Sequence, residues 1–192
     1  MIEVRTFISK NNIWFNEKLS KSEIERQFIN FEDKDKESEI KLALRYLNDY
    51  IDFSPRGFIK IKLNEQELLG EEEFGYLNEL WNKYISLINS YLLDGHAIEY
   101  LDYYHNKITL ETYDDTSIQL QITMVPEEEA EKNLSINKYK GFILPKDAFI
   151  LALLRSAYNY YERLYSYADN EKLIIKMKEL SKLYKDYTGK DF

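Results

Sequence analysis

Two stretches of period-two alternation, joined by three turn-forming residues, limit what this chain can fold into more than any other feature. Lys107 to Tyr113 alternates Ile108, Leu110 and Thr112 with charged or polar neighbours, and Ser117 to Val125 alternates Ile118, Leu120, Ile122 and Met124. Such alternation puts every second side chain on one face of a strand. Asp114-Asp115-Thr116 supplies the short polar residues that close a tight turn. The unit is an antiparallel hairpin with one apolar and one polar face, the pattern of a sheet covered on a single side. Helices must then cover the apolar face.

The rest of the chain supplies them. IEVRTFIS at residues 2–9 alternates as a strand, and Ser20-Lys21-Ser22-Glu23 offers a capping box for a short helix carrying Ile24, Phe28 and Phe31. Ile40, Ala43, Leu44, Leu47, Tyr50 and Ile51 share one helical face, which Ser54-Pro55-Arg56-Gly57 ends. Phe58 to Leu63 reads as a strand with Ile59, Ile61 and Leu63 on one side. Glu71-Glu72-Glu73 places negative charge where a helix running to Leu93 would begin, and Asp94-Gly95 ends that helix. Residues 97–125 hold two or three antiparallel strands, Tyr139 to Leu144 a last edge strand, and Pro145 opens a long helix. A final helix covers about Asp169 to Tyr187. The expected fold class is α+β: one domain over residues 1–192, an antiparallel sheet with helices packed on one face, and a C-terminal helical pair over about 145–187.

Five tyrosines fall within ten positions of the long helix: Tyr158, Tyr160, Tyr161, Tyr165 and Tyr167. On a helical wheel Tyr158, Tyr161, Tyr165 and Leu154 lie within about 60° of one another, while Tyr160 and Tyr167 lie on the far side of the apolar arc. The arc covers about 200°, twice the stripe of a simple surface helix, so the helix must touch two neighbours. Tyrosine suits the margins of such an arc, because its ring buries while its hydroxyl reaches a partner or water. The expectation is Tyr161 in the core and the other four at the edges.

The formal net charge is −8, unevenly spread: residues 155–192 hold eight Lys/Arg against six Asp/Glu, and the remainder holds 18 against 28. Affinity for nucleic acid rests on Lys/Arg neutralising phosphates, so a nucleic-acid partner is not expected. No apolar run reaches the roughly 18 residues of a membrane span. The first residues lack the basic start and apolar run of an export signal, and the chain has no Cys. A cytoplasmic location is the simplest expectation.

Motifs for catalysis are missing. His96 and His105 match no recognised ligand spacing, and adjacent Asp114 and Asp115 suit a turn better than a metal. There is no GxSxG, P-loop or GxGxxG. No cofactor, metal or catalytic residue is expected. Acidic loops that steer and aromatic rings that anchor suit a protein partner. The candidate contacts are Asp114, Asp115, Glu127, Glu128, Glu129, Tyr160 and Tyr167.

The element order adds a likeness. RYLNDYIDFSPRGFIKIKL, then LNELWNKYISLINSYLLDG, a hairpin, and FILPKDAFILALLRSAYNYYERL together resemble small bacterial immunity proteins that neutralise polymorphic toxins. The resemblance implies an acidic, cytoplasmic, non-catalytic protein that binds a toxin domain, a basic nuclease being one such partner. It carries over no binding residues. Two other readings stand beside it: a self-assembling structural protein, and an enzyme using His96 or His105 with nearby carboxylates.

Overall fold

The computed structural model describes residues 1–10, 21–45, 54–101, 106–124 and 138–192. Its strands form two antiparallel sheets. The first has the order β2 (Phe28–Asn30), β1 (Ile2–Ser9), β3 (Arg56–Leu63), β4 (Gln66–Leu69), with β5 (Gly75–Tyr76) also paired to β3. The second runs β6 (His96–Leu101), β7 (Asn106–Thr112), β8 (Ser117–Met124), β9 (Lys138–Pro145), each strand beside its sequence neighbour. The α+β class holds, and among the described residues the strands divide between two sheets, with β6 paired to β7 alone.

Helices α3 (Leu77–Asp94) and α4 (Lys146–Tyr165) join the sheets. α3 touches β3 of the first sheet and β6 and β7 of the second, while α4 touches β1, β9, α3 and the last helix, α5 (Glu171–Thr188). α3 buries Leu77, Leu80, Trp81, Tyr84, Leu87, Ile88 and Tyr91 at spacings of three and four. Each large side chain removed from water contributes about 2 kcal/mol, which offsets the entropy lost on ordering the helix. Gly95 ends α3 in the left-handed conformation, φ 69°, and donates its N–H to Tyr91 O at 2.8 Å. Asn170 caps α5 by accepting the Lys172 N–H at 2.9 Å.

Three expectations change. α1 spans Lys21–Gln27 only; Phe28 and Ile29 belong to β2, paired with Ser9 and Ile8 of β1. Glu71–Glu73 form a separate 3-10 turn rather than the first turn of α3, and Glu73 folds back to accept the Gly70 N–H at 2.8 Å. The charged stretch before Ile40 opens as a 3-10 turn, Lys34–Lys36, and α2 covers Glu37–Ala43. The expected continuation through Leu47, Tyr50 and Ile51 lies outside the described residues, as do the Ser20 end of the capping box and Val125.

In the first sheet Ile8, Ile59 and Ile61 face α3 and α4, and all three are buried. Its other face carries Phe7 stacked on Phe58, with ring centroids 4.8 Å apart, and Phe28 edge-on to Phe58 and Phe74. Gly57 lies opposite Ile8, where a Cβ would sit 1.8 Å from the Phe7 carbonyl oxygen. Only glycine allows β1 and β3 to pair so closely there.

Candidate protein-binding surface

The tyrosines of α4 were the first candidates, and they are largely committed to the interior. Tyr160 is 1% exposed and Tyr161 2%. Tyr160 packs between Phe31 and Trp81, at ring-centroid distances of 5.5 and 6.0 Å, and meets Tyr161 edge-on at 5.1 Å. Its hydroxyl donates to Asn78 Oδ1 at 2.7 Å, and burial pushes its pKa well up. The expected place of Tyr160 at the margin of the arc is therefore corrected. α3 closes over that side of α4, and Tyr160 offers nothing to a partner. Tyr167 is half-buried. Its hydroxyl donates to Glu37 Oε2 at 2.7 Å and accepts from Arg163 Nε at 3.4 Å. Arg163 in turn donates to Glu37 at 3.0 Å and to the Asp33 carbonyl at 3.2 Å, and lies over the Phe31 ring. Tyr167, two residues past the end of α4, is thereby tied to Glu37 at the start of α2. Tyr158 and Tyr165 lie at the margins as expected: the Tyr158 ring meets Phe192, and the Tyr165 hydroxyl reaches Asp169 at 3.0 Å.

Asp114 and Asp115 are where the hairpin put them, exposed in the turn between β7 and β8. Their roles differ. Asp114 Oδ1 accepts the Thr116 N–H at 2.8 Å and the Thr116 hydroxyl at 3.1 Å, which locks the turn. The Thr116 N–H holds the Asp114 carboxyl below its ordinary pKa. Asp115 gives its backbone carbonyl to Lys146 Nζ at 2.7 Å and leaves its side chain to solvent. Glu127, Glu128 and Glu129 lie outside the described residues, as does His105.

The second sheet supplies what the tyrosine helix does not. Its inner face, with Ala97, Leu110, Leu120, Ile118, Ile122 and Leu144, is buried. Register puts His96, Glu111, Gln119 and Ile143 in one row across the outer face, and Ile98, Thr109, Gln121 and Gly141 in the next. Thr109, at the centre, is buried, but Ile143 is 49% exposed and Ile98 40%. Beyond the first row stand Tyr113, 56% exposed, and Pro145 opposite Ser117.

The turn end of this sheet is fixed by contacts from three directions. Thr112 donates its N–H and its hydroxyl to Gly95 O, both at 3.2 Å, and shares a 3.1 Å hydrogen bond with the Tyr91 hydroxyl. Lys146 N–H donates to Thr116 O at 2.9 Å, which sets the start of α4 against the turn. Tyr187 of α5 bonds to the Asp147 carboxylate. His96 Nε2 lies 3.5 Å from Glu111 Oε1 across β6 and β7. Asp114 and Asp115 thus stand exposed in the turn, Glu111 is paired with His96, and Lys146 is bonded into the turn. Leu93, near the end of α3, is 75% exposed.

No protein-family model, no curated protein and no solved structure matches this chain. The case for a site thus rests on the geometry. Among the described residues no group of three or more His, Cys, Asp or Glu is placed to hold a metal, and no helix is long and apolar enough to cross a membrane. The outer face of the second sheet presents the exposed Ile98, Tyr100 and Ile143 on hydrogen-bonded strands, with Tyr113, Asp114 and Asp115 exposed at its turn. Sequence alternation found Asp114 and Asp115 but passed over Ile98, Tyr100, Ile143 and Tyr113. The signal was present in HAIEYL, where apolar residues occupy both parities of a strand: Ala97 and Leu101 inward, Ile98 and Tyr100 outward.

Proposed function

We propose that this chain is a non-catalytic protein-binding protein that neutralises a bacterial toxin, as the immunity proteins it resembles do. The observation that supports this reading is the outer face of the second sheet, where Tyr113, Ile143 and Ile98 stand exposed beside an acidic turn. Interfaces of moderate affinity concentrate their energy in a few such rings and branched side chains, with charges at the rim. The backbone beneath them belongs to a four-stranded sheet against which α3 and α4 pack, so little ordering cost falls on binding.

Co-expression with a toxin-like protein encoded beside this one tests the reading. The expected result is a stable complex and survival of the host cell. Loss of both binding and protection would count against it. The competing enzyme reading predicts a turnover that is lost when His96 and His105 are replaced together; the binding reading expects no turnover before or after that replacement.

A further inference from the structure

The outer face of the second sheet is matched to itself, a step beyond the toxin reading that does not require it. Register adds a third row, with Tyr100, Lys107 and Thr123, to the two already described. Among the described residues the charged side chains of these rows are Lys107 and Glu111, with His96 3.5 Å from Glu111. With His96 neutral the face is formally neutral, although the chain carries −8. Lys107 and Glu111 stand on one strand about 13 Å apart, and the row of Ile98, Thr109 and Gln121 runs midway between them. No carboxylate among the described residues is paired with Lys107.

We propose that this face docks a second copy of the chain, sheet against sheet, about a twofold axis that crosses the strands along that middle row. Such an axis reverses the strand direction between copies. It sets Glu111 of each copy on Lys107 of the other, Tyr100 on His96, and Gln119 on Thr123, while Ile98 and Gln121 meet their own counterparts. Carboxylate then meets ammonium, phenol meets imidazole, and each glutamine amide, donor and acceptor at once, meets a hydroxyl or its twin. Ile98, 40% exposed, supplies the apolar contact at the axis. A twofold axis along the strands would put Glu111 on Gln119 and leave both charges unpaired. A purely acidic partner would meet Glu111, a purely cationic one Lys107, and an apolar one would strip water from both. The occupant must carry both charges at this spacing, and the chain itself does. Four strands about 4.8 Å apart and about seven residues long present about 450 Å² per copy. A pair buries about 900 Å², which sets this dimer among weak, exchanging interfaces. A toxin bound at the same face would displace the second copy.

Sedimentation equilibrium of the full chain from about 1 to about 500 µM, with no toxin present, tests this, and a monomer–dimer equilibrium is expected. Glu111→Lys and Lys107→Glu should each weaken association at least about tenfold, because each reversal turns two attractions into two repulsions. Mixing those two variants, or combining both changes in one chain, should restore association to within about threefold of wild type, since lysine again faces glutamate. A misfolded variant could not be rescued by a reversal in another chain, so the mixture guards against a folding defect. Ile98→Asp, which brings two carboxylates together at the axis, should weaken association at least about tenfold. Glu179→Lys on α5, an exposed charge elsewhere, should change it by less than about twofold. A wild-type chain that stays monomeric at about 500 µM would overturn the proposal, as would reversals without effect or a mixture that fails to associate. A monomer that binds a toxin through these same residues also overturns it and leaves the toxin reading standing. A rescued dimer with no toxin neutralised does the opposite.

Discussion

In the first sheet, apolar residues are buried on both faces. Ile8, Ile59 and Ile61 meet α3 and α4 on one side, while Phe58, Phe28 and Phe74 form a second buried cluster on the other. In the second sheet one face is buried, and the other leaves Ile98, Tyr100 and Ile143 in the open. The two are built from the same antiparallel pairing, so backbone chemistry does not separate them. The difference lies in what the odd positions carry. A sheet with apolar residues buried on both faces is a scaffold whose substitutions act on stability. A sheet with one open, mixed face is free to spend its outer residues on recognition. The two tyrosines that end up in these settings make the contrast concrete: Tyr160 sits between Phe31 and Trp81, and Tyr113 sits in solvent beside the acidic turn.

The largest expected effect breaks the comparison if it fails. Tyr160→Ala removes a buried ring and leaves Asn78 without its donor, and should cost about 3–5 kcal/mol in urea unfolding. Tyr113→Ala should change stability by less than about 0.5 kcal/mol. Similar costs at the two positions would mean that the second sheet's turn is part of the core after all.

A somewhat smaller effect sharpens the comparison at the level of strand spacing. Gly57→Ala drives a Cβ to 1.8 Å from the Phe7 carbonyl oxygen, a backbone atom that cannot rotate away. The β1–β3 ladder must part locally, at a cost of about 2–3 kcal/mol. Gln121→Ala, on the outer face of β8, removes no core contact and should stay within about 0.5 kcal/mol. Thermal unfolding of the two variants side by side checks this.

How much of this could be read from residues alone depends on whether the deciding contact is near in sequence. The β7–β8 hairpin was legible because its alternation and its turn lie within about 20 residues, and the Asp114 bond to Thr116 is local. α3, α4 and α5 were legible from spacing, and the Gly95 cap from one dipeptide. β2 was not. Ile24, Phe28 and Phe31 have helical spacing, but Phe28 and Ile29 pair with Ser9 and Ile8, and that tertiary pairing overrides local pattern. The wheel asked for two neighbours; α4 touches β1, β9, α3 and α5, and the wheel could not say that α3 closes over Tyr160. The site divided in the same way. Its acidic turn was visible, while Ile98, Tyr100 and Ile143 read as ordinary strand residues until the helices had chosen a face.

The finest test of the contrast is in pH, where one carboxyl from each region should act with opposite sign. Glu32 follows β2 and accepts the Thr6 N–H of β1 with both oxygens, at 3.0 and 3.3 Å. Burial outweighs those bonds and the nearby Arg163, and raises its pKa above the ordinary glutamate value. A raised folded pKa means that the group's contribution is full below the unfolded value and is lost as pH rises through the folded one. Wild type should therefore lose stability relative to Glu32→Gln as pH goes from about 4 to about 7. Asp114 is the reverse case: bonding to the Thr116 N–H lowers its pKa, so its contribution is present above the unfolded value and is lost as pH falls through the folded one. Wild type should lose its advantage over Asp114→Asn as pH drops from about 4 to about 2. Unfolding midpoints of the three proteins across that range decide it. Two slopes of the same sign would show that the Glu32 carboxylate is as well solvated as the one in the turn, and that the first sheet is more open beside β2 than its packing shows.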